Sequence, residues 1–410
     1  MHLSTAGFVL PDYYHLSFGG DIIVKVKKQE VYYYIICIYT IYCVFGSSFL
    51  TDIFLFKAIV ALMRYVVLIV AFVGAICNIV RKYTPKLLLL VTLWFVVFIV
   101  CYNNTRYMEI VWFALLVLYS ANKDYNRVID ITLTVTIVCV GFVVLCSAIG
   151  LIDSNTVITS TGLIRHACGF RHVNYLGGLI LKCFSCYIYK NFSKWSIWNS
   201  CIGVVLCALC YFYIVTRTSA FSLLFSVVVI LLIKVLEHFS GVIKMPLLYG
   251  LIYSVVVLAI IGSIVVSINY PRISNAVVLD QLFSNRISLA YRYYTRYGIS
   301  LLGQQIALTS TLDAAEFNVQ ALVLDNSYMH LLIHCGSVVF LLVIVMYLVL
   351  IRNAIMDKHY AMITILLIYI LCSVSEKWLF MPQYNICCFI IPSIFSYHNQ
   401  GGDTERLNDS

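Results

Sequence analysis

The chain has 410 residues, 62% of them hydrophobic and only 11% charged, with a net charge of +9 and a mean hydropathy of +0.95. Soluble domains carry roughly 25% charged residues, so a water-soluble enzyme and a nucleic-acid-binding protein are both excluded. Apolar runs of about eighteen residues or more recur along the chain, each long enough for a hydrocarbon core of about 30 Å.

The first thirty residues hold Asp12, Asp21, Lys25, Lys27 and Lys28, with no continuous apolar stretch before Val31. They do not form a cleavable signal peptide; residues 1–30 read as a poorly ordered cytoplasmic lead-in. A polytopic membrane domain over 31–397 follows. About twelve spans are expected, at roughly 31–50, 58–79, 87–102, 108–121, 128–151, 174–189, 195–215, 219–236, 246–269, 327–351, 359–377 and 382–397. The third and fourth are short for a full crossing. Extracytoplasmic loops are expected at about 152–173 and 270–325, and a cytoplasmic tail at 398–410. Strand-length alternation is absent, so the fold class is an all-α integral membrane protein rather than a barrel.

The sixteen cysteines build no framework. Most sit in apolar runs, where a thiol acts as a small hydrophobe. Cys183-x-x-Cys186 and Cys207-x-x-Cys210 have the spacing of a metal or redox pair but no second pair of ligands.

Loop charges set the orientation. With Lys25, Lys27 and Lys28 inside, both termini are cytoplasmic, and the inner face collects eleven Lys and four Arg. The outer face collects nine Arg and two Lys, and Lys182 lies within the sixth span. Lysine is a hydrated point charge that suffices as a topology marker, whereas the guanidinium fork suits phosphate or carboxylate. An arginine-rich outer face therefore points to an anionic ligand there; lipid headgroups and the few outer acids are the competing explanation.

Two outer segments are long enough for a site. The first contains Arg165, His166, Arg171, His172 and Asn174 within ten residues, followed by Gly177 and Gly178. The second is the long segment from Tyr270 to Leu324, in which 283–303 reads as an interfacial amphipathic helix. Its Arg292 and Arg296 lie one turn apart, and Arg286 shares another face with Tyr293 and Tyr297. Between the two segments, Arg217 sits in a very short turn, Thr216-Arg217-Thr218-Ser219. An arginine so close to hydrocarbon either has a partner or snorkels to the headgroups. Asp280, Asp313 and Glu316 in the long loop read as solvated charges. Asp325 and Asn326 stand where the chain enters the next span. Asp325 is a free carboxylate able to act as a base if it faces a cavity, and a helix cap if it faces water, a role that suits Asn326 equally. His330 and His334 share a helix face but lack a third ligand in register, so no metal is expected there.

The pattern Arg165 through Gly177, the Thr216-Arg217-Thr218 turn, Asn285-Arg286-Ile287 with Tyr297-Gly298 and Leu302-Gly303, and Asp325-Asn326 followed by Gly336 together resemble the bacterial polysaccharide polymerases called Wzy. These belong with the O-antigen ligases in one superfamily. The chain departs from that pattern at Val173, where proline is common, at Asp325, where the ligases have histidine, and at Val339, where a small or polar residue is usual. The resemblance implies a GT-C-like bundle in the bacterial cytoplasmic membrane and a transferase with neither cofactor nor metal. Its substrates would be undecaprenyl-pyrophosphate-linked oligosaccharides, and its partners membrane lipids and the chain-length regulator and flippase of the same pathway. Asp325 would be the catalytic base, with Arg165, Arg171, His172, Asn174, Arg217, Arg286, Asn326 and His330 binding substrate. A ligase-type transferase and a flippase for lipid-linked sugars are the alternatives.

Overall fold

Backbone amides in hydrocarbon find partners only within their own segment or in a closed barrel, so the apolar runs emerge as helices. The computed structural model describes residues 13–18, 22–82, 85–120, 123–158, 162, 164–238, 245–309 and 322–392. It is mostly helical. Among the described residues, five helices are long and apolar enough to cross a membrane: Phe54–Cys77, Tyr125–Ala148, Arg217–Val235, Tyr249–Ile268 and Ser337–Met356. Shorter apolar helices occupy Glu30–Gly46, Val91–Thr105, Met108–Tyr119, Ile197–Tyr213 and Tyr360–Cys372. The chain is an α-helical membrane protein.

Burial sorts the helices. Half of the Ser337–Met356 window is buried but only 22% of Phe54–Cys77, so the former is central and the latter peripheral. Val173–Asn191 is central as well, packing against Tyr125–Ala148, Arg217–His238 and Tyr360–Cys372. The peripheral helices turn Leu62, Ile69, Val138, Leu145, Val228 and Leu232 outward. An apolar surface of that extent is at home in lipid rather than water. Within the bundle, the Lys182 ammonium is buried and donates to the carbonyls of Pro382 (3.3 Å) and Gln383 (3.0 Å), which fixes the returning chain beyond Tyr360–Cys372.

The bundle has two distinct ends. At one, Arg127 grips Glu30 through both guanidinium nitrogens and Lys190 pairs with Asp130. At the other, the amide of Phe49 donates to Gly169 (2.9 Å) and that of Arg171 to Ser47 (3.0 Å). Arg171 also pairs with Asp52, and Asn104 reaches the carbonyl of Leu302 at 3.0 Å. This second end gathers the connectors around residues 47–53, 149–172 and 298–309.

Several expectations shift. The described part of the lead-in is an ordered hairpin, Tyr13–Phe18 against Ile22–Lys27, rather than a disordered segment. Thr156–Ile158 and Ile164–His166 form a second short hairpin in the expected loop 152–173. The span expected at 327–351 is interrupted. A π-helical turn over Leu331–Cys335 precedes Gly336, whose φ is +99° and whose Cβ would lie 2.5 Å from both Gly303 N and Leu301 O. Only glycine permits that contact and that backbone. The span expected at 359–377 closes as a helix at Cys372, leaving Glu376 and Lys377 in the connector. Further π turns occupy Leu209–Tyr213 and Leu258–Gly262. The tail at 398–410, the end of the span expected at 382–397, Lys244, Arg406, Asp313 and Glu316 lie outside the described residues.

Candidate functional site

A cavity of about 510 Å³ opens at the loop-rich end of the bundle. Six stretches wall it: Leu308 and Thr309 from a connector, and five more from helices or the residues flanking them. Tyr39, Tyr42, Cys43 and Gly46 come from one face of Lys28–Gly46, at the spacing of helix neighbours. Tyr107, Glu109 and Trp112 come from the start of Met108–Tyr119, and His172, Asn174 and Tyr175 from the start of Val173–Asn191. Leu324 and Asp325 precede Ser327–His330, and Glu376, Lys377, Trp378 and Tyr384 follow Tyr360–Cys372. Gly178 lets Val173–Asn191 lie against the Tyr384 and Trp378 rings, where a Cβ would meet atoms at 2.8 and 3.0 Å.

The cap before Ser327 is made by Asn326 and not by Asp325. The Asn326 Oδ1 accepts from the amides of Tyr328 (3.0 Å) and Met329 (3.2 Å), while its Nδ2 donates to Ser263 Oγ at 2.7 Å. Those bonds hold Asn326 in the cap, and it is not part of the cavity wall. Asp325 is thereby free of capping duty, and its carboxylate stands in the wall with 18% of the side chain exposed.

Arg286 lies behind that wall. One of its terminal nitrogens is 2.8 Å from Glu376 Oε1 and 3.5 Å from Asp325 Oδ2. The other donates to the carbonyl of Ser375 and to Thr218 Oγ1. Burial disfavours the guanidinium charge, but Glu376 and Asp325 outweigh it, so the pKa ends above its usual value. Burial likewise pushes the Glu376 carboxyl up, with Asp325 adding and Arg286 opposing. Asn174 Nδ2 donates to Glu376 at 3.3 Å. Burial lowers the His172 pKa, against the pull of Asp325; its Nδ1 accepts from the amide of Asn174 (3.1 Å) and caps that helix.

Arg286 owes its position to an acid that the sequence reading placed in solvent. Asp280 is 4% exposed, and its Oδ1 accepts from the amides of Ile287 (2.9 Å) and Ser288 (3.0 Å), capping Arg286–Tyr297 from six residues upstream. Asn285, at the cap position with φ +63°, makes no cap bond of its own. Asp280 is therefore a buried cap, not a solvated charge.

Arg165 and Arg217 join the same neighbourhood. Burial lowers the Arg165 pKa, and the charges of Arg217 and Arg286 lower it further. Its Nε is buried without a hydrogen bond to protein. Arg217 is exposed at the start of Arg217–His238, where a cation opposes the helix dipole. Just before it, Val215 holds φ +58°, a costly conformation for a β-branched residue and the kind of strain that collects at functional sites. Gly177 brings the helices together here, since a Cβ would lie 2.5 Å from Thr216 and 2.6 Å from Ser219. The three arginines thus approach one another beside the cavity, although none is part of its described wall.

No protein-family model, curated protein or solved structure matches the chain.

Arg171, His330 and His334, also singled out from sequence, have partners within the protein. Arg171 bonds Asp52 and Thr51 and lies over the Phe49 ring, pinning the connectors together. His330 is fully buried; its Nδ1 contacts the Leu324 carbonyl at 3.3 Å and its Nε2 contacts His334 Nδ1 at 3.2 Å. Cys335 adds the third donor that the sequence reading lacked, with all three ligand atoms within 4.8 Å. The two imidazoles already satisfy each other there, one nitrogen donating and one accepting.

Three charged groups of the wall were not singled out as site residues from sequence: Glu109, Glu376 and Lys377. All three fell within expected spans, and Lys377 was counted only as an outer-face charge. The usable signal was the acid itself, because an ionisable residue inside an apolar run is a functional candidate by default.

Proposed function

We propose that the chain polymerises lipid-linked oligosaccharide repeat units, transferring a glycan from undecaprenyl pyrophosphate to the acceptor end of an incoming unit. The observation that carries this reading is a carboxylate, Asp325, released from capping and standing in a cavity wall beside three converging arginines. In the reaction the acceptor hydroxyl oxygen forms a bond to the anomeric carbon and gives its proton to Asp325. The bond from that carbon to the pyrophosphate oxygen breaks, and its electron pair leaves with the pyrophosphate. Arg165 and Arg217 meet the charge that grows on the leaving group, as preorganised donors do without a metal. Arg286 is already bonded to Glu376 and Asp325, so it acts as a positioning residue that aims the two acids. His172 and Asn174 face the substrate. Under this proposal the bundle has about twelve spans and a GT-C-like plan, sits in the bacterial cytoplasmic membrane with both termini inside, and presents the cavity to the outer face. The gathering of connectors and arginines at one end supports that arrangement.

The test is Asp325→Asn in cells that make the polymer. Loss of a positioned base costs about 10²- to 10⁴-fold in rate, so single lipid-linked repeat units should accumulate while the protein remains in the membrane. Normal polymer from Asp325→Ala would remove Asp325 from the chemistry.

A further inference from the structure

The cavity has two chemically unlike sides. On one, Asp325 and Glu376 are engaged by Arg286. On the other, Tyr107 and Glu109 stand beside Tyr39 and Tyr42, with Trp112 packed 5.4 Å from the first of those rings and 5.7 Å from the second. The Tyr107 ring is itself held, 4.9 Å from His330 and 6.2 Å from Phe380. The polar atoms of this side lack what those of the first side have. The hydroxyls of Tyr39 and Tyr107 and the Oε2 of Glu109 are buried, and none has a nitrogen or oxygen partner within the protein; the Tyr39 hydroxyl has only the weak Cys43 thiol beside it. Tyr39 is only 1% exposed. Buried polar atoms are nearly always bonded, and an unmet one costs stability. Three of them converging on one cavity therefore point to a ligand that supplies the bonds.

The chemistry of the three atoms narrows that ligand. A carboxylate only accepts hydrogen bonds, whereas a phenol both donates and accepts. A phosphate offers only acceptor oxygens here, and the guanidinium forks of Arg165 and Arg217 suit those better than two phenols and a carboxyl do. A cationic ligand would meet Lys377 and Arg64, the positive groups whose charges act on Glu109. What remains is a neutral molecule dense in hydroxyls with an apolar face to lay on aromatic rings. We infer that Tyr39, Tyr107 and Glu109, walled by Tyr42 and Trp112, form a sugar-ring subsite that reads the glycan. This inference rests on the transferase reading and adds a direction to it: the glycan lies toward Glu109, the pyrophosphate toward Arg165 and Arg217.

The experiment measures binding of two probes to the full-length protein in detergent. One is undecaprenyl-pyrophosphate-linked oligosaccharide extracted from the producing cells; the other is undecaprenyl pyrophosphate without sugar. Glu109→Gln and Tyr107→Phe should each weaken binding of the glycan-bearing lipid about tenfold, the effect of losing one charge-assisted or buried hydrogen bond. Both variants should bind the sugar-free lipid as the parent protein does, which also shows that they are folded. Arg217→Ala should weaken both probes. Equal weakening of both probes by Glu109→Gln and Tyr107→Phe, or no weakening of either, overturns the subsite while leaving the transferase reading in place. A parent protein that binds neither lipid overturns both.

Discussion

The Arg286 cluster makes a quantitative prediction about stability. The guanidinium is 13% exposed, with Glu376 at 2.8 Å and Asp325 at 3.5 Å. At an effective dielectric of about 20, these distances correspond to attractions of about 6 and about 5 kcal/mol before desolvation is subtracted. Desolvation offsets most of that sum, but removing one partner strands the others. Arg286→Met should therefore cost about 3–5 kcal/mol, the usual result of breaking a buried pair. The loss should depend on pH with a definite sign. Burial already raises the folded pKa of Glu376, and without Arg286 it rises further, while the unfolded value stays in the ordinary carboxylate range. Between the two values the native state binds more protons, so stability falls as pH rises. Arg286→Met should be more stable at pH 5 than at pH 8. Arg286→Met/Glu376→Met should recover much of the loss, because a buried pair replaced by apolar groups of similar size is often near neutral. Thermal unfolding in detergent at one fixed scan rate measures the parent, Arg286→Met, Glu376→Met and the double variant, and the double-mutant cycle gives the coupling. A double variant no more stable than Arg286→Met, together with a pH-independent loss, would refute the idea of a coupled buried cluster.

Further predictions follow from the same geometry. Asp280→Ala removes the cap of Arg286–Tyr297 and should cost about 1 kcal/mol. It should also lower polymer formation, because Arg286 loses its fixed starting point; unchanged stability would show the cap to be dispensable. Arg217→Lys keeps the charge but loses the fork and should still impair polymer formation strongly. Full activity in both Arg217→Lys and Arg217→Ala would reduce the residue to a topology marker. Thr295→Cys, on the exposed side of Arg286–Tyr297, should react with an impermeant maleimide in intact cells. Protection until the membrane is opened would reverse the proposed orientation.

Hydropathy made the helices legible because lipid imposes one rule on every span: stay apolar and bond internally. The amphipathic helix within 283–303 was legible for a related reason, since Arg292 and Arg296 sort onto one face and Arg286, Tyr293 and Tyr297 onto another at helical spacing. What sequence could not supply was the partner of each polar group. Asp325 and Asn326 are equal candidates for a cap until the chain folds, when Ser263, sixty-three positions from Asn326, claims the amide. Glu376 looked like part of the end of a span because nothing in its neighbourhood announces Arg286. Asp280 looked solvated because a cap six residues from its helix has no sequence signature. The π turn before Gly336 was equally invisible, as its reason is the backbone of Leu301 and Gly303 pressing against that glycine.

The three π turns bear on how such a chain can change length. Each winds wider than an α turn and typically accommodates one surplus residue. Deleting one residue elsewhere, for instance within Ser337–Met356, would rotate everything beyond it by about 100° and turn buried Val343 and Tyr347 toward lipid. Deleting one within Leu209–Tyr213 or Leu258–Gly262 lets the turn relax to α geometry while the helical faces on either side keep their register. A helix packed on all sides is ordinarily the least forgiving place for a change in length. Here single-residue gains and losses between related chains belong inside the helices, at these turns, as well as in the loops.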